Sequence, residues 1–245
     1  MALENLPTGR DSAMTDHTVA SFDEDLKTLD SKILAMGRLA ERQLAAALNA
    51  IAQAGTQQAQ LAVDGDAAVD AMQREIEEYA VHVIARRQPV AIDLRTIVGA
   101  MRIAGDLERI GDMAKNIGMS IGSLDEGAWA SPMTKSLCAM GDMTLWQLET
   151  VLDSYSNRDA EMALKAWTRD HEIDQQYNSL FRELLTYMME DPKTISYAAH
   201  LLFCAKNIER VGDHCTNIAE SVSYIVTGKT ISDSRPRHGV PDGNT

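Results

Sequence analysis

Apolar positions recur with helical spacing through most of the chain, and between residues 21 and 230 only three prolines interrupt them. Pro89 ends one long periodic stretch, because proline disfavours helical geometry in the residue before it, here Gln88. Ser131-Pro132 and Asp191-Pro192 each read as a capping side chain followed by proline at the first helical position, where the missing N–H costs nothing. With Gly55-Thr56 and Asn157-Arg158-Asp159 as further breaks, the pattern predicts six helices at roughly 19–54, 57–88, 90–123, 131–156, 159–190 and 193–227. The ends, residues 1–16 and 229–245, are rich in Gly, Pro, Ser, Asp and Arg and read as a flexible extension and a flexible tail.

Comparing the chain with itself changes this picture from six helices to two sets of three. Ala35-Met36-Gly37 returns as Ala139-Met140-Gly141, Gln43-Leu44 as Gln147-Leu148, and Asp66-x-x-Val69-Asp70 as Asp170-x-x-Ile173-Asp174, all at an offset of 104. Glu108-Arg109-Ile110-Gly111-Asp112-x-x-x-Asn116-Ile117 returns as Glu209-Arg210-Val211-Gly212-Asp213-x-x-x-Asn217-Ile218, at an offset of 101. The common order of the matches indicates duplication. The expected fold is all-α, two tandem pseudo-symmetric three-helix bundles over 17–124 and 125–228, joined near Ser123 to Ala130. The Met-Gly and Gln-Leu repeats read as core packing without chemistry.

Composition agrees with helices and narrows the function. Ala, Leu, Met, Gln, Glu and Asp dominate, and only 12 of the 245 residues are aromatic. With 23 Lys plus Arg against 36 Asp plus Glu, the net charge of −13 argues against nucleic-acid binding, which needs clustered cations. Cys138, Cys204 and Cys215 form no C-x-x-C pair, a pattern of a reducing compartment; Cys204 and Cys215 read as buried small hydrophobes. No long uncharged apolar run and no hydrophobic signal core occur, so the expected location is the cytoplasm.

The acids are not scattered. Glu108 and Asp112, and Glu209 and Asp213, are four apart and share a helix face, although like charges at that spacing repel. Stepping back by sevens from the glutamates gives Met101 and Leu94, then Leu202 and Ile195, so the acids continue an apolar stripe. Asp66 and Asp70, with Asp170 and Asp174, are two more pairs that would converge on the first two if they faced the third helix of each repeat. Oxygen-rich sites poor in His and Cys suit hard or intermediate cations, while the lack of any Glu-x-x-His disfavours the usual di-iron bundle. The alternative is an interhelical network of salt bridges and hydrogen bonds, with Asn116 and Asn217 capping the polar stripe. Arg109 and Arg210 point about 100° away from their glutamates and are free to pair elsewhere. Gly111 and Gly212 indicate close approach of a neighbouring helix or a ligand. Arg86-Arg87 and Asp93-Leu94-Arg95 bracket the turn at Pro89 as a solvated helix junction.

The duplicated Glu-Arg-[Ile/Val]-Gly-Asp-x-x-x-Asn-Ile, with Arg87-Gln88-Pro89 before Asp93-Leu94-Arg95 and Tyr224-Ile225-Val226-Thr227-Gly228 near the end, resembles the PhoU family. The similarity runs from about His17, through Phe22-Asp23-x-x-Leu26, to Lys229. It implies a cytoplasmic regulator without catalytic residues that couples the phosphate ABC transporter, through its ATPase subunit, to a sensor histidine kinase, and represses both when phosphate is plentiful. It also implies a homodimer, and membrane association only through those partners. Metal at the E(D)-x-x-x-D motifs is a further implication: Fe, Mn, Mg or another divalent ion at Glu108, Asp112, Glu209 and Asp213, with Asp66, Asp70, Asp170 and Asp174 at the family's other acidic positions. A metal-binding bundle with a storage or redox role is the competing expectation. Direct phosphate binding at the acidic faces is disfavoured, since an anion site wants helix N-termini or arginine forks.

Overall fold

The computed structural model describes residues 10–53, 55–124 and 132–231, with side chains from residue 21 onward and, after the second gap, from residue 134. Helices dominate: α1 (Arg10–Gln53), α2 (Thr56–Arg87), α3 (Ala91–Gly122), α4 (Pro132–Asn157), α5 (Ala160–Thr168), α6 (Asp170–Glu190) and α7 (Ile195–Thr227), with a 3-10 turn at Pro192–Thr194. Together they form an all-α fold of six long helical rods in two bundle-like groups, the fifth rod being α5 and α6 in succession. The first helix reaches back to Arg10, so part of the segment read as a flexible extension is helical. No proline or glycine lies between Arg10 and Gly37 to stop it. Residues 1–9, the junction over 125–131 including the Ser131 cap, and 232–245 lie outside the described residues.

The local signals act as their chemistry requires. Gln88 takes a left-handed conformation (φ 49°) and its N–H closes onto the Ile84 carbonyl at 3.0 Å, so α2 ends just before Pro89. Asp159 caps α5 by accepting from the Glu161 and Met162 N–H groups at 3.0 Å. Gly228, at φ 75°, ends α7 with its N–H on the Tyr224 carbonyl.

One expected helix, 159–190, is broken at Arg169. Thr168 Oγ1 donates to the Lys165 carbonyl, His171 Nδ1 lies 2.6 Å from the Thr168 carbonyl, and the Glu172 N–H closes a tight bond to the Arg169 carbonyl. Side chains that bond nearby backbone compete with the helical ladder. Arg169 is held out of line by Glu172 and by the Trp146 ring, 4.3 Å away.

The helices α1, α2 and α3 pack on one another, and α4, α5 and α6 pack on α7. Two antiparallel contacts join the groups, α1 with α4 and α3 with α7. At the first, a Cβ on Gly37 would collide with Leu152 Cδ2, and one on Gly141 with Leu48 Cδ2. Because 37 and 48 are related to 141 and 152 by the repeat offset, each repeat inserts one leucine over the other's glycine. Met36 and Met140 beside them are fully buried, as core packing requires. Among the described residues no helix is long and apolar enough to cross a membrane.

Candidate functional site

The duplicated motifs lie on α3 and α7, one of the two helix pairs in contact between the groups. On each, two of the three residues between the acids face inward: Ile110 and Gly111 are buried on α3, Val211 and Gly212 on α7. The acids sit at the rim of that buried stripe, with side-chain exposure of 12% for Glu108, 30% for Asp112 and 14% for Glu209.

In the first repeat the acids meet cations of the chain itself. Arg109 Nε lies 2.7 Å from Glu108 Oε2, and its Nη1 donates to Asp112 Oδ2 at 3.1 Å. The guanidinium therefore bends back over its own motif. Lys115 Nζ donates to Asp66 Oδ2 at 2.6 Å and lies 4.0 Å from Asp112 Oδ1. Burial raises the Glu108 carboxyl above its ordinary value; Arg109 opposes the shift, while Asp112, Asp70 and Asp66 reinforce it. The α2 aspartates thus face α3 and its motif.

In the second repeat Lys206 Nζ donates to Glu209 Oε2 at 2.6 Å. Burial again raises the glutamate, Lys206 opposes, and Asp213 and Asp174 reinforce. Asp170, 6% exposed, accepts from Gln147 Nε2 at 3.3 Å. The two lysines are not equivalent under the duplication: Lys115 corresponds to Thr216, and Lys206 to Gly105. Coulomb attraction has no strict direction, so any cation that reaches the cluster relieves it.

This arrangement overturns the expectation of a bound Fe, Mn, Mg or other divalent ion. Among the described residues no group of three or more His, Cys, Asp or Glu is placed to hold a metal. The physical reason lies in the pairs: Arg109, Lys115 and Lys206 occupy the space and charge a cation would take. With the metal goes the storage or redox alternative built on it.

The glycines are explained by side chains rather than by a ligand. A Cβ on Gly111 would lie 3.0 Å from Gln43 Oε1 and 3.2 Å from Val69 Cγ1; one on Gly212 would lie 3.1 Å from Asp170 Oδ1. Gln43 and Gln147 are polar residues whose importance the sequence reading missed. They are 3% and 1% exposed, and their Nε2 groups donate to the carbonyls of Ala62 (2.8 Å) and Ala166 (3.2 Å). Each ties the first helix of its repeat to the second, beneath the acidic motif. The recurring Gln-Leu pair was their signal. Arg87 stands apart: its Nε donates to Asp25 Oδ2 at 2.8 Å, with only 12% of the side chain exposed, so the solvent-exposed Pro89 junction is also pinned to α1.

The raised glutamates predict a pH dependence. A carboxyl whose folded value lies above its unfolded one keeps more protons in the native state, so its contribution is full below the ordinary range and is lost as pH rises through the folded value. A Glu108→Gln/Glu209→Gln variant is therefore expected to gain stability relative to the parent as pH rises above the ordinary carboxylate range. Urea unfolding from that range upward checks it; a difference that is flat or falls with pH would contradict the burial argument.

A family model for the PhoU domain matches this chain twice, over residues 33–121 and 137–222. The phosphate-specific transport system accessory protein PhoU homolog of Caulobacter vibrioides is 48% identical over 224 residues, covering 91% of this chain and 97% of that protein. The homolog of the same description from Rhizobium meliloti is 46% identical, covering 90% and 93%. Among solved structures, PhoU from Pseudomonas aeruginosa superposes with a TM-score of 0.82 at 37% identity, covering 85% of this chain and 100% of that one. The phosphate transport system regulatory protein PhoU from Streptococcus pneumoniae gives 0.79 at 30%, covering 86% and 99%. Two domain matches in tandem, relatives aligned almost end to end and a shared fold agree with the duplicated motifs: the chain belongs to the PhoU domain family.

Proposed function

We propose that this chain is a non-enzymatic cytoplasmic regulator that couples the phosphate ABC transporter to its sensor histidine kinase and represses uptake and starvation signalling when phosphate is plentiful. The observation that carries the reading is family membership over nearly the whole chain, among relatives described as accessory or regulatory proteins of phosphate transport. Like its family, the chain is a regulator and not an enzyme. The geometry supports the role: a duplicated bundle offers two related but different faces, one for the transporter ATPase subunit and one for the kinase. The charge of −13 keeps it from DNA, so its influence on genes passes through the kinase. It acts as a homodimer, and meets the membrane only through its partners. Of the paired acids, Asp66 bonds Lys115 across α2 and α3 and Asp170 accepts from Gln147 across α6 and α4, while Glu108, Asp112 and Glu209 pair with cations of their own helix.

Deleting the gene is expected to leave phosphate-regulated genes expressed in rich phosphate, and crosslinking from phosphate-replete cells should recover both the kinase and the ATPase subunit. A deletion strain with normal repression would refute the regulatory reading.

A further inference from the structure

The contact of α3 with α7 carries two grooves that the duplication relates. One, of about 500 Å³, is lined by Asn116, Met119, Ser120 and Phe203; the other, of about 490 Å³, by Arg102, Asn217, Glu220 and Ser221. Shifting Asn116, Met119 and Ser120 by the offset of 101 gives Asn217, Glu220 and Ser221, and shifting Arg102 gives Phe203. The fold therefore produces the groove twice, and its chemistry has diverged. In the first groove Met119 and Phe203 are 56% and 48% exposed; in the second, a guanidinium takes the place of the phenyl ring.

The second groove is lined by two arginines, Arg102 and Arg109, and two acids, Asp106 and Glu220. Its two acids are already engaged: Asp106 accepts from Asn217 Nδ2 (3.2 Å) and lies 2.9 Å from His214 Nδ1, and Glu220 accepts from Trp167 Nε1 at 3.0 Å. Arg109 is committed to Glu108 and Asp112. The guanidiniums of Arg95 and Arg102, seven apart on α3, both lie 5.8 Å from the Tyr224 ring, and no described residue supplies either with a carboxylate. Arg102, in the groove beside the Tyr224 ring and without a carboxylate from any described residue, is well suited to receive one. Beside them, Gly105 faces open space, with nothing within 4 Å of where its Cβ would stand.

We propose that this groove is the docking site for an acidic peptide segment of a partner protein, with Arg102 receiving a carboxylate and Tyr224 the aliphatic stem. A volume of about 490 Å³ is in the range of ligand pockets and far more than a single tetrahedral oxyanion fills. The inference rests on the regulatory reading above for the partner's existence, but not for the chemistry of the groove.

The test uses the full chain and a fluorescein-labelled hexaglutamate peptide, followed by anisotropy. Arg102→Ala is expected to weaken binding by about ten- to a hundredfold, as loss of a charge-assisted hydrogen bond does. Arg182→Ala, which removes the same charge from an exposed position on α6, should leave it within about twofold, and Gly105→Trp should block it with unchanged helicity. No binding by the parent chain, equal losses in the two arginine variants, or full binding by the Gly105 variant would overturn the proposal. Displacement of the peptide by inorganic phosphate at stoichiometric concentration would instead assign the groove to a small anion, and overturn it likewise. In cells, derepression by gene deletion combined with normal repression in an Arg102→Ala strain would remove the groove while leaving the regulatory reading in place.

Discussion

Replacing Tyr155 by alanine is expected to lower stability by about 3–5 kcal/mol, the range for removing a large buried aromatic side chain. Tyr155 is 1% exposed near the end of α4, where α4 meets α1. Its ring carries the Arg158 guanidinium 4.6 Å from the centroid. Its hydroxyl donates to Asp30 Oδ1 at 2.5 Å, and Arg158 Nη2 bonds both oxygens of the same carboxylate, at 2.7 and 2.6 Å. Burial first, and then Asp30, push the phenol far above its ordinary range, and the hydroxyl is the donor to Asp30. Tyr155→Ala removes the ring and its contacts, and leaves Asp30 and Arg158 without their third partner. Tyr155→Phe keeps the ring and is expected to cost only about 1–2 kcal/mol, the value of one hydrogen bond to a charged group. Chemical denaturation of the two variants separates packing from hydrogen bonding. A loss below about 1 kcal/mol in the alanine variant would show that the ring does not anchor α4 to α1.

The second large effect is expected at the glycines between the repeats. Gly37→Ala should gain about 1 kcal/mol from helix propensity alone. It is instead expected to destabilise, because the added methyl occupies the place of Leu152 Cδ2. Valine at both Gly37 and Gly141 is expected to cost about 2–6 kcal/mol, from roughly 1–3 kcal/mol of overpacking at each site. A double-mutant cycle identifies the cause. Combining Gly37→Ala with Leu152→Ala should cost less than the sum of the single changes by about 1 kcal/mol or more, since the methyl then fills space the leucine vacated. Strict additivity would place the strain elsewhere.

The two variants probe features of different legibility. Met36-Gly37 and Met140-Gly141 were visible as a repeat, but not what the glycines admit. The leucine over each belongs to the other repeat, 115 and 93 positions away in the chain. Asp30, Tyr155 and Arg158 were invisible for a related reason: the matching contact in the other half is absent, so no recurrence marked them. The break at Arg169 escaped notice because helical spacing of apolar residues continues through it. Only the local competition of Thr168 and His171 for backbone carbonyls ends the helix there.

The acidic motifs show the same division. Their helices, shared faces and duplication followed from spacing, because a residue's face on a helix depends only on the 3.6-residue turn. Whether those faces held a metal or the chain's own cations depended on how long, flexible side chains turn, along the same helix for Arg109 and Lys206 and across helices for Lys115. Lys115 reaches Asp66 on another helix, while Arg109 turns back on its own motif, against the direction expected of its backbone position, because its side chain is long and flexible.

By itself, then, the sequence determined the helices, the duplication, the pairing of the acids and the family, all of which rest on short-range geometry or on recurrence along the chain. The tertiary structure alone decided that Lys115 meets Asp66, which leucine fills which glycine, and which residues come together in the two related grooves. Those are contacts between residues far apart in the chain, set by how the helices cross, and periodicity carries no record of them.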